Sequence, residues 1–219
     1  MIKDKFIKSS KLIATYFLSR ACLLYKKKKL TSNSYDAWTI LVSVLLSAQS
    51  TDIKVDEILP KLINKFPNVY CFANAKQEDI QIYIKVLGLF RNKAKNLINA
   101  AQFVINEYNG VLPRTRIELE QLPGIGRKSS AIIVSKAFGE QAIAVDTHVK
   151  RVSIRLGLTN QVNPNKIEED LNIVFNKSKL IEAHNSLIFH GKLICHARNP
   201  RCDECFIKEK CREYSYIKK

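Results

Sequence analysis

A chain of 219 residues, 46% of them apolar, is long enough for one substantial core or two small lobes that share an interface, which excludes disorder throughout. Thirty-six Lys and Arg against twenty Asp and Glu leave a formal charge of +16, so an acidic polymer is the natural partner, although a merely lysine-rich enzyme would show the same balance. Met1 to Lys29 lacks the apolar core and cleavage site of a secretory signal, and the longest apolar stretch, Trp38 to Ala48, is far shorter than the roughly 20 residues of a spanning helix, so a soluble, cytoplasmic protein without a membrane partner is expected.

In chain order, Ser34 is placed to cap a helix over Tyr35 to Ser47, apolar on nearly all sides and therefore buried mid-domain. Asp52 opens the next, with Val55, Ile58, Leu59, Leu62, Ile63 and Phe66 at helical spacing and a kink expected at Pro60. Ile80, Ile82, Ile84 and Val86 alternate like a strand, but with no partner strand in sight the stretch reads as a short helix. Ala94, Leu97, Ile98, Ala101, Val104 and Tyr108 mark one face of a helix that Gly110 ends, and Thr115 with Glu118 makes a capping box. Further helices follow over Lys128 to Phe138, Thr147 to Gly157, Pro164 to Phe175 and Leu180 to Ile194, so the fold class is all-α.

Four constellations carry chemistry. Leu122-Pro123-Gly124-Ile125-Gly126 leads directly into Arg127 and Lys128, and glycines there let a phosphate approach the unpaired N–H groups of a helix start; an ordinary inter-helix turn has the same residues. Lys128 lies in the first helical turn, where the helix end and Arg127 both disfavour the ammonium form, as attack on a sugar C1′ requires; it could equally be a solvated phosphate-binding cation. Ala142 to Val145 carries Asp146 to the next helix start, as a plain N-cap or as a carboxylate that stabilises positive charge on a sugar. Finally, Cys195, Cys202, Cys205 and Cys211 lie within seventeen residues, which suits one tetrahedral zinc or one [4Fe–4S] cluster equally well; Arg198 and Arg201 in the first loop are placed to grip a phosphate backbone. Cys22 and Cys71 read as buried apolar residues.

Together Leu122 to Lys128, Val145-Asp146-Thr147-His148 and the C-x6-C-x2-C-x5-C tail resemble endonuclease III, the iron–sulfur member of the helix–hairpin–helix DNA glycosylases. Leu45 to Asp52, Gly88-Leu89 and Phe189-His190-Gly191 extend the likeness over about residues 33 to 213. The resemblance implies two helical lobes with a DNA cleft between them: residues 30–140 as a six-helix barrel holding the hairpin, and residues 1–29 with 141–219 as an N-terminal helix joined to a [4Fe–4S] module bound by the four cysteines. It further implies a monomer acting on double-stranded DNA with damaged bases or abasic sites, in base excision repair. Lys128 would be the nucleophile, opposite Asp146 across the cleft. Gln49 and Leu89 would fill the hole left by a flipped-out nucleotide, and Leu122, Gly124, Gly126, Arg127, Arg198 and Arg201 would hold DNA. Base loss, imine formation at Lys128 and β-elimination would follow, on oxidised pyrimidines.

An adenine-DNA glycosylase would need a glutamate in the early buried helix, and no acidic residue occurs from Ala37 to Thr51. A non-catalytic DNA-binding module would not need both Lys128 and Asp146, and a ferredoxin-like carrier has closer cysteines and an acidic surface. Two departures stand out: the basic run Lys26 to Lys29 in a long N-terminal stretch, and Ser129-Ser130 where threonine and alanine are expected.

Overall fold

The computed structural model describes residues 2–25 and 35–217, and among them no strand occurs. The helices in chain order are α1 (Ile2–Tyr25), α2 (Ala37–Ser47), α3 (Asp52–Lys65), α4 (Val69–Ala73), α5 (Gln77–Ile84) and α6 (Phe90–Tyr108). They continue as α7 (Arg116–Leu119), α8 (Arg127–Phe138), α9 (Thr147–Leu156), α10 (Pro164–Val174), α11 (Leu180–Leu193) and α12 (Arg212–Ile217). Two compact units result, one of Asn33–Glu140 and one of Met1–Ser32 with Gln141–Lys219. No helix among the described residues is long and apolar enough to cross a membrane.

In the Asn33–Glu140 unit, α2 is the central element. Its residues Trp38 to Val42 and Val44 to Leu46 are buried all round, and it packs on α3, α6 and α8. Leu41, Leu46, Leu59, Leu62 and Leu97 are fully enclosed, and truncating any one of them to alanine costs about 2–5 kcal/mol through lost contacts and an unfilled cavity. The helix begins two residues later than expected, because Asp36 and not Ser34 is the cap: its carboxylate accepts the Thr39 N–H at 2.7 Å. Ser34 and the run Lys26 to Lys29 lie outside the described residues.

Helix α3 runs continuously through Pro60. In α5 the alternating isoleucines resolve as helix: Ile80 and Ile84, one turn apart, are buried and Ile82 is exposed, while Val86, also exposed, lies in the turn beyond the helix end. The five-residue α4 has too few residues to show a periodicity; its start is fixed by Asn68, which accepts the Cys71 N–H at 3.0 Å.

The second unit is built on a stripe of α1 in which Ser10, Ala14, Phe17 and Ala21 recur every three or four residues and are buried. Small residues at three of these positions let α1 lie close to α10 and α11, while Phe17 meets His190 and Phe206 edge-on and stacked. Val149, Val152 and Leu156 of α9 and Ala183 and Leu187 of α11 complete this core. Cys22 and Cys71 are only half-buried, contrary to the expectation for apolar cysteines; the Cys22 thiol reaches the Glu182 carboxylate at 3.7 Å, and burial followed by that charge raises it above its ordinary value.

Candidate functional site

In the first unit, α7 and α8 form a helical hairpin whose turn carries the glycines. The capping box is present: Thr115 Oγ1 accepts the Glu118 N–H at 3.3 Å while the Thr115 N–H is directed at the Glu118 carboxylate. Leu122 is buried, so its side chain anchors the turn, and its carbonyl accepts the Ile125 N–H at 3.0 Å. Gly124 has φ +83° and is packed on Asn96; Gly126, the N-cap of α8, has open space where a Cβ would stand. Gly126 therefore adds no side chain of its own beside the first N–H groups of α8, which have no partner within the helix, as an anion-binding helix start requires.

Arg127 and Lys128 are the first two residues of α8, Arg127 half-buried and Lys128 exposed. The turn beneath them is braced from below. Arg116 Nη2 donates to the Arg127 carbonyl at 3.1 Å, and Ser130, fully buried, lies 2.7 Å from Glu120 Oε1 and 2.9 Å from the same Arg127 carbonyl. The serine that departs from the expected alanine is thus provided with partners for its hydroxyl.

The same unit brings Gln49 and Leu89 together. Gln49 ends the turn after α2, Leu89 precedes α6, and Gly88, the residue before Leu89, is so close to the Gln49 carbonyl that an added Cβ would touch it at 3.4 Å. Both residues are in the left-handed region, at φ 52° and 57°, and both side chains are exposed. Sequence reasoning missed their neighbour Lys93, which is buried yet lies on the apolar stripe of α6 with Leu97, Ala100 and Val104. A lysine in register with that stripe was the available signal.

In the other unit, Asp146 is the N-cap of α9, its Oδ1 accepting the Val149 N–H at 2.7 Å. The four cysteines line one pocket together with Arg155, Leu156, His190, Ile194 and Tyr214. Among the described residues no three His, Cys, Asp or Glu side chains converge closely enough to hold a lone ion; the four sulfurs instead stand around a shared space. Burial raises the Cys202 and Cys211 thiols above their ordinary value and pushes Cys205 up to about 11.

The shell around the pocket was not legible in the cysteine spacing. Arg155 Nη1 donates to the His196 carbonyl at 2.7 Å and to Cys195 Sγ at 3.5 Å, and its Nη2 donates to the Ala197 carbonyl at 3.1 Å. One turn earlier, Arg151 donates to the carbonyls of Cys195 and Gly191. His190 lies between Tyr25 Oη, 2.9 Å from its Nδ1, and Cys205 Sγ, 3.6 Å from its Nε2; burial pulls the imidazole down to about 4, so it is neutral at physiological pH. Arg198 and Arg201 are both exposed on the loop so braced, Arg201 with only a long, solvated contact of 3.9 Å to Glu204.

Residues 42–177 match the family model for HhH-GPD superfamily base excision DNA repair proteins, and residues 195–211 match that for the iron–sulfur binding domain of endonuclease III. Endonuclease III of Rickettsia felis is 40% identical over 178 residues, covering 81% of this chain and 84% of the relative. That of Bacillus subtilis is 42% identical over 175 residues, 80% of each. A solved structure of a trapped endonuclease III–DNA covalent intermediate superposes with a TM-score of 0.89 at 34% identity, covering 95% of this chain and 99% of the other.

Proposed function

The chain belongs to the HhH-GPD superfamily of base excision DNA repair proteins, in its endonuclease III branch, and we propose that it removes oxidised pyrimidines from double-stranded DNA and cleaves the resulting abasic site, with Lys128 as nucleophile. The observation that carries this assignment is the exposed amine of Lys128 at the second position of α8, beside helix-start N–H groups that Gly126 leaves uncovered. A backbone phosphate held there, with Gly124 shaping the turn and Arg127 adding charge, brings a deoxyribose to the amine. Gln49 and Leu89 enter the stack as the damaged nucleotide leaves it.

The reaction needs no external redox partner. Lys128 Nζ bonds to C1′ as the C1′–N bond to the base breaks, and the base departs with its electron pair and takes up a proton. Asp146 stabilises the positive charge growing on the sugar and accepts the proton released from the amine. Ring opening gives an imine between Nζ and C1′. Loss of a C2′ proton then expels the 3′ phosphate, cutting the strand, and water hydrolyses the imine to return the lysine. Asp146 combines this role with capping α9, where its Oδ1 accepts the Val149 N–H.

Cys195, Cys202, Cys205 and Cys211 hold a [4Fe–4S] cluster, which fits four sulfurs placed around a shared pocket. When bound, it supplies the positive charge that keeps these buried thiols ionised, and it cross-links the loop bearing Arg198 and Arg201, which then contacts phosphates on one side of the lesion. Such a protein works as a monomer in the cytoplasm, on the nucleoid. Borohydride reduction of the imine tests the lysine assignment: a covalent adduct with abasic-site DNA is expected from the parent and is lost in Lys128→Gln while DNA binding survives. An undiminished adduct in that variant refutes it.

A further inference from the structure

Lys93 is a buried cation that the excision chemistry does not use. Its side chain is 4% exposed, and its described partners are both uncharged: Nζ donates to the Leu46 carbonyl at 2.8 Å and to Ser50 Oγ at 2.7 Å. Burial lowers its affinity for a proton, which is the sign of a charge held where it is costly. Leucine or methionine would fill this place on the α6 stripe without that cost.

The two bonds straddle Gln49. Leu46 is in the last turn of α2, where carbonyls have no helical partner, and Ser50 immediately follows Gln49. The backbone of Lys93 reaches the second element, because its N–H donates to the Leu89 carbonyl at 3.0 Å in the first turn of α6. One residue therefore ties the turn that displays Gln49 to the turn that displays Leu89, both held at positive φ and both exposed. Left-handed backbone at a glutamine and a leucine is sterically disfavoured and persists only where neighbouring bonds impose it.

We infer that Lys93 is a positioning residue for base extrusion: its ammonium locks the two turns together so that Gln49 and Leu89 are already in posture to fill the vacated stack. This rests on the reading that those two side chains enter DNA. The lock lowers the ordering cost at the moment a nucleotide is flipped, since the fillers need no rearrangement.

The test compares Lys93→Met, which keeps length and apolar stem but cannot donate, with the Gln49→Ala/Leu89→Ala double variant and the triple combination, all as cluster-loaded full chains. Two rates are read: single-turnover excision of an oxidised pyrimidine from duplex, and borohydride trapping on an abasic site in single-stranded DNA, where no stack has to be filled. Lys93→Met should slow duplex excision about tenfold, leave single-strand trapping within about twofold, and add less than about twofold on the double-variant background. Parental duplex excision in Lys93→Met, an equal loss on both substrates, or a full additional loss in the triple variant overturns the assignment. If the double variant excises at the parental rate, it is the filler reading that fails, and the role of Lys93 falls with it. Ser50→Ala removes one acceptor and leaves the lysine in place, so it should show a smaller defect of the same pattern; should Lys93→Met not fold, parental duplex excision in Ser50→Ala overturns the proposal.

Discussion

The two glycines of the hairpin turn should separate cleanly on substitution by alanine, one acting on stability and the other on DNA. At Gly124 the backbone has φ +83°, where a residue with a Cβ costs about 1–2 kcal/mol. The new Cβ would also stand 2.7 Å from Asn96 Nδ2 and 3.1 Å from its Cβ and Cγ, so the amide must swing aside at a further cost of about 1 kcal/mol. Gly124→Ala should therefore lose about 2–3 kcal/mol, equivalent to a fall in Tm of about 5–10 °C for a chain of this length. Gly126 has an ordinary extended backbone and nothing within 4 Å of a built Cβ, so Gly126→Ala should cost under about 1 kcal/mol. Its methyl group would, however, stand over the open N–H groups of α8, and loss of one charge-assisted bond to phosphate should weaken binding about tenfold. Helical circular dichroism on heating gives the first quantity; fluorescence anisotropy on a duplex with a stable abasic-site analogue, at fixed ionic strength, gives the second. Equal melting of both variants, or parental affinity in Gly126→Ala, would refute the reasoning.

The bracing residues give two further expectations. Arg155→Met removes the bonds to the His196 and Ala197 carbonyls and to Cys195 Sγ, so the cluster should be lost faster in air, followed by iron content and visible absorption, with weaker DNA binding appearing only as iron is lost. Ser130→Ala should cost about 1 kcal/mol in urea unfolding and leave trapping on abasic DNA unchanged, because Glu120 is exposed enough to turn to water once its partner is gone.

What was readable in the sequence is what is decided locally. The Gly124 turn, the Thr115–Glu118 capping box and the cap at Asp146 each depend on a few neighbouring residues, and four close cysteines announce a metal module by count alone. The helical reading of Ile80 to Val86 is met as far as Ile84, where α5 ends, because Ile80 and Ile84, one turn apart, are the buried ones. By contrast, the cap of α2 is Asp36 and not the expected Ser34: serine and aspartate cap helices about equally well, so residue type alone does not separate them. What Lys93, Arg151 and Arg155 bind was hidden for a different reason. Their partners lie about forty or more positions away, at Leu46, Gly191, Cys195 and His196, and long-range side-chain to carbonyl bonds leave no periodic trace.

The non-glycine residues at positive φ among those described are Gln49, Leu89, Asn109 and Asn199. Asparagine tolerates that region by bonding to its own backbone, so strain concentrates at Gln49 and Leu89. Neither residue recovers the cost by burial: Leu89 is 53% exposed, and its position at the head of α6 forms no side-chain cap. A conformation that costs stability, buries little and is imposed by a buried cation is explained by what it presents to a partner and not by what it does for the fold. Leu89→Asn should therefore raise stability by about 0.5–1 kcal/mol, a rise in Tm of about 2–3 °C, while slowing excision from duplex DNA, because the shorter amide suits the left-handed backbone but fills less of an opened stack. A variant that melts lower than the parent would place the strain elsewhere, and one that melts higher yet excises as fast would separate the backbone conformation at Leu89 from catalysis altogether.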